Sequence, residues 1–439
     1  KYVYKPWQLK KTTTTCNYCG DGCQMYVETK DTEVVRVTSP LSWKNKWGDR
    51  SDTVNGHNGI CVRGRFGFQF IDSKDRLKQP MIRKDSALVD ASWIEALESA
   101  GEQLQGIKEK YGADAIAGLV TARCTNEELY VFQKFMRTVI GTNNVDSSAR
   151  YGHVNFVRAV HHSLGINRMM NTSEDITKAK VILVVGANIT ETNPVASLRV
   201  KEAIGTYKAS AIVVDSMQTN LSKLASHPIM VKPGTEGLLV KGLVKSVLDQ
   251  DLVDLDVTGQ TPQAFNALKQ AADAISLDEV AKQTGISAEQ INDIAKIFAE
   301  APRSIILCGE GIVRQKNGYN NVLNLVDLAW ITGKLNQAGS GINTVVEEGN
   351  EQGALDMGVA PEFLPGPVAF SDAAAKQKYS KAWEASLPTA HDGSTLMDIL
   401  QGCHDGKIKA LYVVGENPLA TLPKSFGVDK ALSNLELLI

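Results

Sequence analysis

The chain has 439 residues, 43% of them hydrophobic and 22% charged, with a formal net charge of −2. That length supports two or three domains with sizeable cores, and the near-neutral balance gives no electrostatic case for nucleic acid or an anionic membrane surface as partner. No apolar run reaches the about 18 residues of a membrane-spanning helix and no signal peptide or twin-arginine segment opens the chain, so no direct membrane insertion is expected. The chain begins at Lys1 without a methionine and stops in "LELLI", an apolar run that reads as a strand. The expectation is the middle of a longer polypeptide.

The first element with chemistry is "CNYCGDGC" at 16–23. Cys16, Cys19 and Cys23 follow a C-x2-C-x3-C spacing, and Cys61 follows after 37 intervening residues. Seven cysteines in all, three of them packed together, argue against a disulfide framework and for a metal site in a reducing, cytoplasmic compartment. Gly20 and Gly22 let the backbone wrap so that several thiolates converge. Structural zinc usually takes two separated C-x2-C pairs. Three clustered thiolates and a remote one is the commoner arrangement for a [4Fe-4S] cube; zinc stands as the alternative. Cys124, Cys308 and Cys403 read as buried small hydrophobes. In "CVRGRFGFQF", two readings stand. Arg63 and Arg65 place positive charge beside the cluster and favour its reduced state, or the segment is a surface strand with a packed aromatic face.

Further along, "AIAGLV" (115–120), "VILVVG" (181–186), "AIVVDS" (211–216), "SIILCG" (304–309) and "ALYVVG" (410–415) read as buried parallel strands. Helical patterns lie between most of them, and Ser92-x-x-Glu95, Thr125-x-x-Glu128 and Ser287-x-x-Gln290 read as capping boxes. The alternation predicts doubly wound α/β domains. Three strands end in glycine, at Gly186, Gly309 and Gly415, with Asn188 and Asn417 just beyond the first and third. Glycine there lets a ligand approach the backbone, at the crevice where open α/β sheets bind nucleotides; αβ loops also use it structurally. Asp215 could meet a ribose hydroxyl or cap a helix. Neither a Walker P-loop nor a G-x-G-x-x-G in a βαβ setting is present. The stretch 372–394 reads as a solvated helix and loop, and His161 and His162 as ordinary helix residues.

Several motifs then agree on one family. "TTCNYCGDGCQMYVE", "GICVRGRFGFQFIDSKDRLKQPMIRK", "ASWIEAL", "RCTNEELYVFQKFMRTVIGTNNVD", "VVGANITETNPVASLRVKEA", "VKPGTEGLLVKGL", "NVLNLVDLAWITGKLNQAGSGIN", "EQGALDMG" and "VVGENP" resemble, in order, the molybdopterin oxidoreductases, and within them the catalytic subunit of formate dehydrogenases. The resemblance implies an α/β fold with a small N-terminal [4Fe-4S] domain (1–80). Two doubly wound dinucleotide-binding-type domains follow, one discontinuous (81–145 with 345–439) and one inserted (146–344). The family's C-terminal cofactor-covering domain is missing from this sequence. The cluster would be held by Cys16, Cys19, Cys23 and Cys61. A bis(guanine dinucleotide) molybdopterin would be cradled near Arg63, Gly186, Asn188, Asp215, Gly309, Gly415 and Asn417.

Against that pattern, the position of the selenocysteine or cysteine that ligates molybdenum or tungsten is Gly152, beside His153. The substrate-orienting arginine aligns with Val346, followed by Glu347 and Glu348. An arginine supplies the bidentate contact that holds a small anion; two carboxylates would repel it by ~1 kcal/mol or more each. Arg63 stands where the family commonly shows lysine. His153 is read as a packed histidine with a satisfied hydrogen bond.

This combination resembles the formate-dehydrogenase-like large iron–sulfur subunit of bacterial NADH:quinone oxidoreductase. It implies an electron-transfer and scaffold subunit with one [4Fe-4S] cluster and no catalytic metal. Its partners would be other Fe–S and NADH-oxidising subunits, and membrane association would come only through the complex. Two other readings stay open: an active molybdenum or tungsten oxidoreductase with an unusual site, and a structural remnant whose cluster only staples the N-terminal domain.

Overall fold

The computed structural model describes residues 3–39, 59–335, 337–389 and 393–439. The chain divides into two compact units, Lys1–Phe66 with Tyr151–Gly349 and Gly67–Arg150 with Asn350–Ile439.

In the first unit, Lys10–Thr15, Gln24–Lys30 and Glu33–Thr38 form an antiparallel three-stranded sheet. The register pairs Thr15 with Gln24, so the segment carrying Cys16, Cys19 and Cys23 is the loop of a hairpin. The Cys16 N–H donates to the Cys23 carbonyl (2.8 Å), which closes the loop on itself.

A five-stranded parallel sheet forms the body of this unit. Its order is His227–Met230, Ser210–Asp215, Val181–Val185, Ser304–Cys308, Gly341–Thr344. Val181–Val185 and Ser304–Cys308 are buried at every position. Continuous Val/Ile/Leu runs suit strands covered on both faces. By chain order the strands run 3-2-1-4-5, so the order reverses between Val181–Val185 and Ser304–Cys308, and a crevice opens at their carboxyl ends.

The second unit holds a four-stranded parallel sheet in the order Leu437–Leu438, Ala410–Val414, Ile116–Val120, Val145–Ser147. The terminal "LELLI" thus enters a sheet, as its composition predicts. Helices Trp93–Tyr111, Asn126–Phe135 and, in the first unit, Ala288–Glu300 start with the three capping boxes anticipated from sequence. Each hydroxyl accepts from the third helical N–H while the Glu or Gln returns to the cap N–H.

Sequence gave no hint of a buried cation in this second unit. Arg137 is 0% exposed and sits in a π-helical turn, Met136–Ile140. It donates to Gln133 Oε1, Asn143 Oδ1 and the carbonyls of Gly358, Ala360 and Phe363. Five neutral acceptors satisfy the guanidinium, while burial alone pulls its pKa down to about 9.

Four expectations need correction. "CVRGRFGFQF" is not a strand: Val62–Phe66 is α-helical and Gly67–Asp72 is a 3-10 turn, with Phe66 and Phe70 exposed. Cys61 and Gly64 both turn toward the cysteine loop, and a three-residue spacing on one side is helical, not pleated. Asp215 caps no helix; its Oδ1 accepts the Met217 N–H (3.1 Å) in a turn at the strand end. Cys124 is half-buried, whereas Cys308 and Cys403 are fully buried. Within 372–394, of which 390–392 lie outside the described residues, Ala373–Trp383 is anchored and not merely solvated. Trp383 packs with Leu364 and Phe370, and its indole N–H donates to the Tyr130 hydroxyl (2.7 Å).

Candidate functional site

Cys16, Cys19 and Cys23 are 7%, 6% and 5% exposed, and Cys61 is half-buried. Cys16 and Cys23 pack with Val195, and Tyr18, Met25 and Cys61 close around them. Burial pushes the three loop thiols up, Cys19 to about 12, and the Asp21 carboxylate adds to the rise at Cys19 and Cys23. Cys61 contributes in the same direction at Cys16 and Cys23, so the remote thiol lies within electrostatic reach of the loop. A thiol held neutral by burial becomes a ligand when a metal displaces its proton. Among the described residues no group of three or more His, Cys, Asp or Glu side chains is arranged to hold a single metal ion. Four thiols drawn from a tight loop and a facing helix fit the larger [4Fe-4S] cube, which takes four thiolates.

The loop is pinned by a residue that the sequence reading passed over. Asp21 Oδ2 accepts the N–H groups of Val195 and Ala196 (3.1 Å each), at the start of helix Pro194–Gly205. Its Oδ1 accepts from Asn193 Nδ2 (3.2 Å). A carboxylate on the exposed amides of a helix N-terminus is favourably placed. Asn193 Nδ2 also reaches the Val346 carbonyl (2.8 Å), which takes the Gly20 N–H as well (3.0 Å). A Cβ on Gly20 would lie 2.7 Å from Val346 Cβ, so only glycine lets the loop sit this close. The signal was present: an aspartate between two glycines, inside the cysteine run. Arg63 Nη2 donates to the carbonyls of Glu191 (2.5 Å) and Thr192 (2.6 Å), at the end of the short helix Ile189–Thr192. Its charge acts to lower the Cys16 and Cys19 thiols.

Gly152 and His153 lie in the same unit but present different chemistry. Gly152 is buried at the start of helix His153–Leu164. A side chain there would meet Val313 Cγ2 at 3.0 Å, Arg314 Cγ at 3.6 Å and Glu310 Cγ at 3.8 Å. These neighbours belong to the segment after strand Ser304–Cys308, and only the Val313 contact is tighter than ordinary van der Waals distance. His153 is 1% exposed and stacks on Phe156, ring centroids 6.0 Å apart. Val346 is buried, with its carbonyl committed as described.

Three charged groups gather beside Gly152. Glu310 is 8% exposed and pairs with the Arg314 guanidinium, which also lies over the Tyr151 ring. The Glu347 carboxylate lies within electrostatic reach of Glu310. Burial, and then Glu347, push the Glu310 pKa up to about 8 against the opposing pull of Arg314. Among the described residues, the nearest neighbours of Gly152 are Val313, Arg314 and Glu310, none of them a soft metal ligand.

The glycines after the strands have a local explanation. Gly186 has φ +59°, and a Cβ on it would lie 2.7 Å from the Ile312 nitrogen; one on Gly309 would lie 2.5 Å from the Gly186 oxygen. The two loops at the reversal point press on each other, joined by the Gly311 N–H to the Gly186 carbonyl (2.9 Å). Asn188 precedes helix Ile189–Thr192 and accepts from the Thr190 hydroxyl (3.2 Å). Asp215 ends the neighbouring strand, and burial raises its pKa. Gly415 and Asn417 belong to the second unit, Gly415 at φ +63° and Asn417 at the start of helix Pro418–Thr421.

Comparisons with known proteins fit this architecture. Residues 76–439 match the family model "Molybdopterin oxidoreductase", and residues 9–73 match "Molybdopterin oxidoreductase Fe4S4 domain". Formate dehydrogenase H of Escherichia coli is 33% identical over 438 residues, 98% of this chain and 60% of that protein. NADPH-Fe(3+) oxidoreductase subunit alpha of Geobacter sulfurreducens is 33% identical over 439 residues, 100% of this chain and 49% of that one. F420-dependent formate dehydrogenase 1 subunit alpha of Methanococcus maripaludis is 35% identical over 428 residues, 97% of this chain and 60% of that one. The chain therefore spans about half to three fifths of the length of these relatives. The structure of acetylene hydratase from Pelobacter acetylenicus matches with a TM-score of 0.73 at 20% identity, over 98% of this chain and 60% of that one, a likeness of fold alone. With an iron–sulfur segment leading into two parallel α/β sheets, and with the family's own pattern running over most of its length, this chain belongs to the molybdopterin oxidoreductase family.

Proposed function

We propose that this chain is an electron-transfer and scaffold subunit of a multi-subunit redox complex, carrying one [4Fe-4S] cluster on Cys16, Cys19, Cys23 and Cys61 and no catalytic molybdenum or tungsten. One observation carries the reading. Gly152 supplies no ligand atom, and a side chain there would press on Val313. The buried, apolar Val346 gives a small anion no charged side chain to bind.

Electrons would enter and leave through the cluster, so the chain would work with other iron–sulfur and NADH-oxidising subunits. An NADH:quinone oxidoreductase or a related complex is the setting proposed. Two relatives carry the word "subunit" in their names, one of them with NADPH, and this supports an assembly linked to a soluble electron carrier. Among the described residues no helix is long and apolar enough to cross a membrane.

Formate dehydrogenase H at 33% identity, together with the histidine at 153, favours a second reading: an active bis-pterin molybdenum or tungsten enzyme with an unusual site. Elemental analysis of the purified complex separates the two. The proposal expects about four iron atoms per chain and no stoichiometric molybdenum or tungsten, with cluster reduction by NADH in the intact complex. Near-stoichiometric metal with formate-dependent dye reduction would establish the second reading instead.

A further inference from the structure

Beside the cysteine loop lies a cavity of about 190 Å³, walled by Asp21, Asn171, Ile176, Asn193, Leu307 and Val346 among others. Two of its polar walls are incomplete. Asn193 is 2% exposed, and its amide nitrogen donates to both Asp21 Oδ1 and the Val346 carbonyl. Asn171 donates from its amide nitrogen to the carbonyls of Gln337 and Ser340. All four partners are acceptors, so turning either amide over would set oxygen against oxygen; the orientations are fixed. Both Oδ1 atoms are thereby left buried, with no donor from the chain among the described residues. Buried carbonyl oxygens in folded proteins find a donor, in the chain or outside it.

The occupant must donate hydrogen bonds from a small body, because the rest of the wall is largely aliphatic. A cation would gain little, since the carboxylate of Asp21 is already engaged by three N–H groups. Water fits: the space is well above the ~10–15 Å³ that a single water needs.

We infer that this partly open pocket is a hydration site, in which water donates to Asn171 Oδ1 and Asn193 Oδ1 and lies against Gly20–Asp21 of the cysteine loop. Solvent near an iron–sulfur centre stabilises the negative charge added on reduction and raises the potential. The hydration site stands whether or not iron is bound; its effect on potential rests on the cluster assignment.

The test is a crystal structure of the iron-loaded protein at a resolution that shows ordered water. A water within about 3.2 Å of each Oδ1 is expected. Absence of such water, or a protein donor on either oxygen, overturns the inference. Ala196→Ile extends a side chain into the cavity from helix Pro194–Gly205. It should remove the water density and move the cluster's EPR-monitored potential to more negative values at unchanged iron content. An unchanged potential with the water displaced overturns the hydration effect. Asn171→Leu, which removes one acceptor from a different wall, should shift the potential the same way and serves where Ala196→Ile does not fold. Iron content, read separately, reports on the cluster assignment itself.

Discussion

The cysteine loop and the neighbourhood of Gly152 lie in one compact unit and differ in what they offer a ligand. At the loop the ligand atoms are present, and the surroundings are organised to hold them. Asp21 ties the loop to a helix N-terminus, Gly20 rests on Val346, and Arg63 secures the facing segment. At position 152 the surroundings differ: Gly152 carries no side chain, and its nearest neighbours are Val313, Arg314 and Glu310.

The sharpest way to break this contrast is at the loop. Cys61→Ser should abolish or convert the cluster, because the remote thiolate closes the cube; iron content and the EPR signal of the reduced protein report it. Cys308→Ser, at a fully buried position away from the loop, should leave the signal intact. An unchanged signal in Cys61→Ser refutes the ligand assignment.

The reciprocal experiment restores the ligand. Gly152→Cys should give no formate-dependent dye reduction. The thiol would crowd Val313, and the anion would still lack its arginine, a kind of contact whose loss typically costs ~10²–10³ in rate. Formate turnover in that single variant would show that position 152 alone separates this chain from an active enzyme.

A smaller effect sharpens the description of the loop. Asp21→Ala strands the amides of Val195 and Ala196 and the Asn193 side chain, at a cost of about 1–3 kcal/mol. Thermal melts should shift down, and iron should be lost more readily to a chelator, while Glu347→Gln should leave chelation unaffected.

A pH-dependent effect belongs to Glu310. Glu310 has its pKa raised from 4.5 to about 8. Between those values the folded chain holds a proton that the unfolded chain has released. The stabilisation is therefore full below about pH 4.5, falls as pH rises, and is gone above about pH 8. Glu310→Gln should remove this slope, so wild type should lose a few degrees of melting temperature relative to the variant between pH 5 and 8. Parallel curves would mean that Glu310 is ionised throughout.

Sequence alone determined the strands, the capping boxes, the doubly wound class and the four candidate thiols. Each rests on local pattern: continuous apolar runs, a hydroxyl three residues before a carboxylate or amide, cysteines spaced by glycine. It also marked Gly152 and Val346 as departures, since a missing side chain is visible without coordinates. What it could not supply was partnership across distance. The aromatic alternation in "CVRGRFGFQF" suggested a strand, but contact with the cysteine loop imposed a helix. Asp21 shares its bonds with residues more than 170 positions away, and Arg137 with carbonyls more than 220 positions away. The glycines after the strands looked like openings for a ligand, yet Gly186 and Gly309 allow two loops to touch. Only the tertiary structure decided these, because hydrogen-bond partners and excluded volume are set by which distant segments meet.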